Sequence, residues 1–203
     1  MNDDYSIEIK SLPLMIDTIT VPGLSGAIGI SSCPGMKTLS TVDIYEERMS
    51  SDLESIRKWG ATVVLTLVEL RELALLGVSD LPDRALSMSL LWLHLPIRNM
   101  GLPDEVFEES WKWIGPRLLN LLKDGKRILI HCKEGIGRSG IVAARLLIES
   151  GIDHQTALRA VRKARPGSLI LNSHEEYCYT LSPCEPSEKI ASRCYAMPGS
   201  CSA

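Results

Sequence analysis

The chain predicts an α/β fold with a mostly parallel central sheet flanked by helices. Three observations carry that expectation: short apolar runs rich in Val, Ile and Leu, longer amphipathic stretches alternating with them, and a glycine-containing loop joining one such run to a helix. At 203 residues and 45% hydrophobic content, the chain has enough material for one buried core but little for two.

The strands are expected at Ala27–Ile30, Thr62–Leu67, Leu91–Leu95 and Arg127–His131. The first helix reads from Ser50 to Trp59, ended by Gly60. A longer one covers Asp104–Lys123, bent at Gly115–Pro116 and stopped by Asp124–Gly125. A third begins at Gly137–Arg138 and ends before Gly151, while Asp153 caps a fourth over His154–Ala164. Asn172 with Glu175 has the spacing of a capping box for a last helix through Leu181. Three parts follow: an N-terminal segment 1–27, a folded domain 28–181, and a loosely attached tail 182–203 rich in Ser, Pro and Cys.

The net charge of −3 gives no global basic field, so neither nucleic acid nor an anionic membrane is expected as a partner. The acidic N-terminus lacks a secretory pattern, and the leucine-rich stretch 63–95 is broken by Glu69, Arg71, Glu72, Asp80 and Asp83. A cytoplasmic monomer is the expectation. The six cysteines match no CxxC spacing and read as free thiols, so no metal is assigned.

The chemistry concentrates in ILIHCKEGIGRSGIVAARLLI, residues 128–148. A loop between a strand's carboxyl end and a helix N-terminus can aim several backbone N–H groups inward as an anion nest. Gly135 and Gly137 suit the backbone angles and close approach this requires. Five residues separate Cys132 from Arg138, so the sulfur can lie at the base of the nest while the guanidinium grips two phosphate oxygens. The groups that attract phosphate also favour thiolate over thiol. Candidate roles follow: Cys132 nucleophile, Arg138 clamp, Ser139 stabilising the departing sulfur, and the backbone of Lys133, Glu134, Gly135, Ile136, Gly137 and Arg138 binding phosphate. The side chains of Lys133 and Glu134 point outward in this reading, and His131 orients the loop.

His131, Cys132, Gly135, Arg138 and Ser139 meet the signature HCxxGxxR[ST], and here the chain resembles the protein tyrosine phosphatase superfamily. SCPGMK (32–37), LPIRNMGLPDE (95–105) and RPGSLILNSHEEY (165–177) are similar to segments of its kinase-associated, cyclin-dependent-kinase-inhibitor type of dual-specificity phosphatase. The resemblance implies a dual-specificity phosphatase-like fold, a phosphocysteine intermediate, no cofactor, and a phosphorylated protein as partner, a kinase among the candidates. It also implies a general-acid Asp after the Pro-Ile-x segment, where this chain carries Asn99. An amide donates a hydrogen bond but cannot deliver a proton. Asp104 is the candidate replacement, with an ordinary alternative as a first-turn helix acid, and a phosphoprotein-binding role without turnover, or action on a non-protein phosphoester, stays open. His174 resembles a position where relatives carry a water-orienting Gln, or else lies on a helix surface. Cys33, Trp92, Trp111 and Trp113 read as core or boundary packing.

Overall fold

The structure is a computed structural model that describes residues 13–20, 23–36 and 45–183. Its elements are β1 (Asp17–Ile19), β2 (Ala27–Ser31), α1 (Tyr45–Trp59), β3 (Ala61–Thr66), α2 (Leu70–Leu75), α3 (Leu81–Ser87), β4 (Leu91–His94), α4 (Glu105–Lys123), β5 (Arg127–His131), α5 (Arg138–Glu149), α6 (His154–Ala164) and α7 (Asn172–Thr180).

The sheet runs β1-β2-β5-β3-β4, parallel throughout except for the β1–β2 pair. Ser31 and Thr66 both pair with His131, so the carboxyl ends of β2, β3 and β5 finish level. Ligands of open α/β sheets bind beyond such an edge. Side-chain alternation divides the core. Ile128 and Ile130 face α4, α5 and α6, whereas Leu129 and Val64 face Met49, Leu53 and Ile56 of α1 together with Leu73, Leu81 and Ala85. Helix α5 is buried from Arg138 to Ile148, which explains its apolar runs 141–144 and 146–148 and fixes the loop at its start.

The mixed α/β architecture with a largely parallel sheet is as expected, and the four expected strands are present to within a residue at each end. Other expectations need correction. Strand β1 falls inside the segment set apart as 1–27, yet it pairs with β2. Helix α1 begins five residues before Ser50, at Tyr45. Helices α2 and α3, of 6 and 7 residues, are too short to leave a helical period in a leucine-rich stretch. Helix α4, by contrast, runs through Pro116 to Lys123 as expected. Gly115 is there for space: a Cβ would come within 2.5 Å of the Trp111 indole nitrogen. Asn172 is no cap, because it is already helical, Leu171 holds the cap position, and the Glu175 carboxylate accepts from Arg162 of α6 at 2.6 Å. Trp113 is 63% exposed, outside the core. The tail assignment falls, from residue 184 onward, outside the described residues.

One buried charge serves the fold. Arg145 donates to Glu149 and Glu108 at 2.7 Å and to the Tyr177 hydroxyl at 2.6 Å, and its guanidinium lies 4.7 Å from the Trp111 ring centroid. Burial alone would raise the Glu108 pKa, but hydrogen bonds from Arg145 and Tyr177 hold it below the usual range. The cluster fastens α4 and α7 to α5.

Candidate active site

Cys132 follows the last residue of β5 and is 3% exposed. Its Sγ accepts the Gly135 backbone N–H at 3.2 Å and lies 3.5 Å from the Ser139 Oγ. Gly135 has φ +75°, and a Cβ there would stand 2.5 Å from the Ser31 carbonyl oxygen at the end of β2. Only glycine fits. Gly137 is different: its φ is −93°, and a Cβ would meet His174 at an ordinary 3.5 Å. A backbone angle and close approach that demand glycine are therefore found at Gly135 and not at Gly137.

The loop's carbonyls are held on the outside. His131 Nδ1 approaches the Cys132 oxygen at 3.4 Å, the Cys33 amide donates to Lys133 at 3.0 Å, Arg165 donates to Glu134 at 2.8 Å, and the Leu169 amide donates to Ile136 at 3.1 Å. With the oxygens turned away, the intervening amides are free to face the sulfur, which is the geometry of an anion nest. The N-terminus of α5 opens on the same space, with Gly137 as a cap that offers no side-chain acceptor of its own. Arg165 also donates to Asp17 at 2.6 Å, tying the loop to β1.

Arg138 is buried and held by a residue the sequence reading passed over. Its Nη1 and Nη2 donate to the two carboxylate oxygens of Glu72 at 2.6 and 3.1 Å, and Nη1 also donates to the Ile97 carbonyl at 2.9 Å. Burial raises the Glu72 pKa, yet the Arg138 bonds and the Glu69 amide outweigh it and leave the carboxyl below its ordinary value. A guanidinium has five N–H groups. An end-on fork to Glu72 and the Nη1 contacts with the Ile97 and Leu67 carbonyls, the latter at 3.5 Å, engage three, and the Nε and outer Nη2 hydrogens lie side by side along the remaining edge, with the Cys132 side chain in reach.

Behind the cysteine, Trp92 Nε1 donates to Thr66 Oγ1 at 2.8 Å, and Thr66 Oγ1 lies 2.7 Å from His131 Nε2. Thr66 donates its single hydroxyl hydrogen to Nε2 if the His131 proton sits on Nδ1, the tautomer that also bonds the Cys132 carbonyl. Burial pushes the His131 pKa down to about 4, with the Arg138 charge acting the same way, so the ring is neutral at pH 7.

The loop after β4 is built differently. Ile97 is buried under Arg138, but Arg98, Asn99 and Met100 are exposed. Asp104 is the N-cap of α4, and its Oδ1 accepts the Phe107 amide at 3.0 Å. Lys133 and Glu134 are exposed on the rim and lie 3.9 Å apart. His174 is buried rather than on a helix surface; burial lowers its pKa, and its Nδ1 has no hydrogen-bond partner among the described residues. Burial, then the Cys132 charge, pushes the Cys33 thiol up to about 12. No helix of the described residues is long and apolar enough to cross a membrane.

Comparison with known proteins agrees with this arrangement. A family model described as cyclin-dependent kinase inhibitor 3 (CDKN3) matches residues 2–158. The human cyclin-dependent kinase inhibitor 3 is 27% identical over 187 residues, covering 88% of this chain and 82% of that protein. Bovine protein tyrosine phosphatase type IVA 3 is 26% identical over 144 residues, covering 68% of this chain and 75% of its own. Among solved structures, a kinase associated phosphatase with its catalytic-site cysteine changed to serine superposes with a TM-score of 0.72 at 24% identity, over 84% of this chain and 94% of that one. The match over most of the chain is decisive: this protein belongs to the cyclin-dependent kinase inhibitor 3 family, the kinase-associated, dual-specificity branch of the protein tyrosine phosphatase superfamily of phosphatases.

Proposed function

We propose that the chain hydrolyses phosphate monoesters on protein side chains, phosphotyrosine foremost, through a phosphocysteine formed on Cys132. The observation that carries this reading is the Sγ–Gly135 N–H bond of 3.2 Å at the mouth of α5, beside an Arg138 whose outer edge is left open by Glu72 and Ile97.

Cys132 attacks phosphorus in line as the thiolate, the P–O bond to the substrate breaks, and the phosphoryl group passes to sulfur. Loop amides and the open edge of Arg138 meet the three equatorial oxygens, where charge is spread in the transition state. In the second step water attacks phosphorus, the S–P bond breaks, and the Ser139 hydroxyl donates to the departing sulfur from 3.5 Å. Phosphate leaves and the thiolate is restored.

The first step also produces an oxyanion on the substrate. Asn99 can donate a hydrogen bond to it but has no acidic proton, and Asp104 would have to leave its cap on Phe107 to act as donor. The reading is therefore a phosphatase effective on good leaving groups and slow on poor ones. Rapid acid quench of enzyme mixed with a phosphorus-labelled phosphotyrosine peptide should trap label on Cys132. Absence of a trapped species together with absent turnover, while the peptide still binds, would leave the phosphoprotein-binding role.

A further inference from the structure

Each of three segments that fasten the phosphate loop exposes a large aliphatic side chain. Leu70 lies between the Leu67 carbonyl and Glu72, both of which touch Arg138, and it is 66% exposed. Met100 lies three residues beyond Ile97, whose carbonyl also holds Arg138, and is 71% exposed. Ile170 follows Leu169, whose amide bonds the Ile136 carbonyl, and is 66% exposed. In each segment a buried residue, Leu67, Ile97 or Leu169, makes the contact, and the exposed side chain lies within three residues of it.

Two of these segments keep a backbone that ordinary side chains avoid. Met100 and Leu169 both have φ +58°. Glycine or asparagine adopts such angles readily, and either would suit an exposed turn better than methionine. Leu169 is buried, so packing accounts for it, but Met100 holds the same angle while 71% exposed. An apolar residue there points to something that covers it.

We infer that Leu70, Met100 and Ile170 form an apolar rim that receives aliphatic or aromatic side chains flanking the phosphorylated residue of a protein substrate. The inference rests on the phosphatase reading, because a phosphate seated over Cys132 lays its own chain across the segments that hold the loop. A phospholipid would present phosphate and apolar matter together as well. The net charge of −3 does not favour an anionic bilayer.

The test uses two phosphotyrosine peptides that differ only in carrying Leu or Ser on both sides of the phosphoresidue, with an aryl phosphate as a flankless reference. The full-length enzyme should favour the Leu peptide in kcat/KM by about tenfold. The L70S/M100S/I170S variant should bring that preference close to one when each rate is divided by its aryl phosphate rate. M100N alone, which relieves the backbone, should reduce the preference about threefold without lowering Tm, so the reading survives a triple variant that folds poorly. Aryl phosphate turnover that fails in the unmodified enzyme would count against the phosphatase reading itself, and the rim would then be read from peptide affinity for C132S. Equal use of both peptides, or a preference untouched by the variants, overturns the rim. So does binding to phosphatidylcholine vesicles doped with a phosphatidylinositol monophosphate that the variants abolish while peptide preference stays.

Discussion

The loop that holds Cys132 and the loop that carries Asn99 border the same space but are built to different standards. In the first, four carbonyls are tied down from four directions, the central arginine is gripped by a carboxylate, and the sulfur is almost wholly buried. In the second, one buried residue, Ile97, is followed by three exposed ones, and the next carboxylate along the chain, Asp104, is engaged in capping a helix. On the proposed phosphatase reading, phosphate capture and thiolate attack are therefore preorganised, while proton delivery is not. Electrostatic preorganisation and acid catalysis are separable contributions, and this chain keeps the first in a fuller form than the second.

The largest effects should come from breaking the preorganised side. Arg138→Lys keeps the charge but loses both the fork to Glu72 and the paired edge toward phosphate, and should lower kcat/KM on a phosphotyrosine peptide by about 10³-fold. Glu72→Gln should cost on the order of 10²-fold, because a guanidinium displaced by about 1 Å no longer meets the transition state. If E72Q has near-normal kinetics, Glu72 does not position Arg138. Rescue by Glu72→Asp would be poor, since the shorter side chain cannot reach both Nη groups.

The other loop should respond in the opposite direction. Single-turnover rates on aryl phosphates should fall steeply as leaving-group pKa rises, and Asn99→Asp should flatten that slope and raise the phosphotyrosine rate by at least about tenfold. Asp104→Asn preserves a capping acceptor, so it should leave stability and the slope alone, whereas Asp104→Ala should cost about 1 kcal/mol of stability through the lost cap. A slope steepened by D104N would make Asp104 the acid.

A separate effect concerns stability and the buried histidine. His131 titrates near 4 in the folded chain against 6.5 for a free imidazole, so between those values the unfolded chain binds more protons. Stability must then fall as pH drops through that window, by on the order of 3 kcal/mol for a group this buried. His174, also lowered by burial, acts in the same sense. Thermal melts from about pH 7 to about pH 4 should show the decline, and H131N should make it shallower. A melting temperature flat across that range in the unmodified protein would contradict a neutral buried His131.

What the sequence disclosed follows the same division. Residues 128–148 form strand, loop and helix in one continuous stretch, so their spacing alone brings Cys132, Gly135, Arg138 and Ser139 to one place. Glu72 was invisible because its partner lies 66 residues away and its helix, α2, is too short to register a period. Arg165 and Leu169 were noticed as part of a similar segment, but their bonds to Glu134 and Ile136 depend on how α6 returns to the sheet. Asp104 shows the reverse problem, because a carboxylate at a helix start looks the same on paper whether it caps the helix or donates a proton.

The strand order has a consequence for how the molecule is made. β2 and β3 do not pair with each other; each waits for β5, which occupies the place between them yet is translated after both. A nascent chain that has not reached Arg127 can form the β1–β2 and β3–β4 pairs but leaves two apolar edges, β2 and β3, without partners. Such an intermediate is open to mispairing on the ribosome. Insertion of β5 joins the two halves of the sheet and, one residue later, delivers Cys132, whereas Arg165 and Leu169, which fasten its loop, are translated only afterwards.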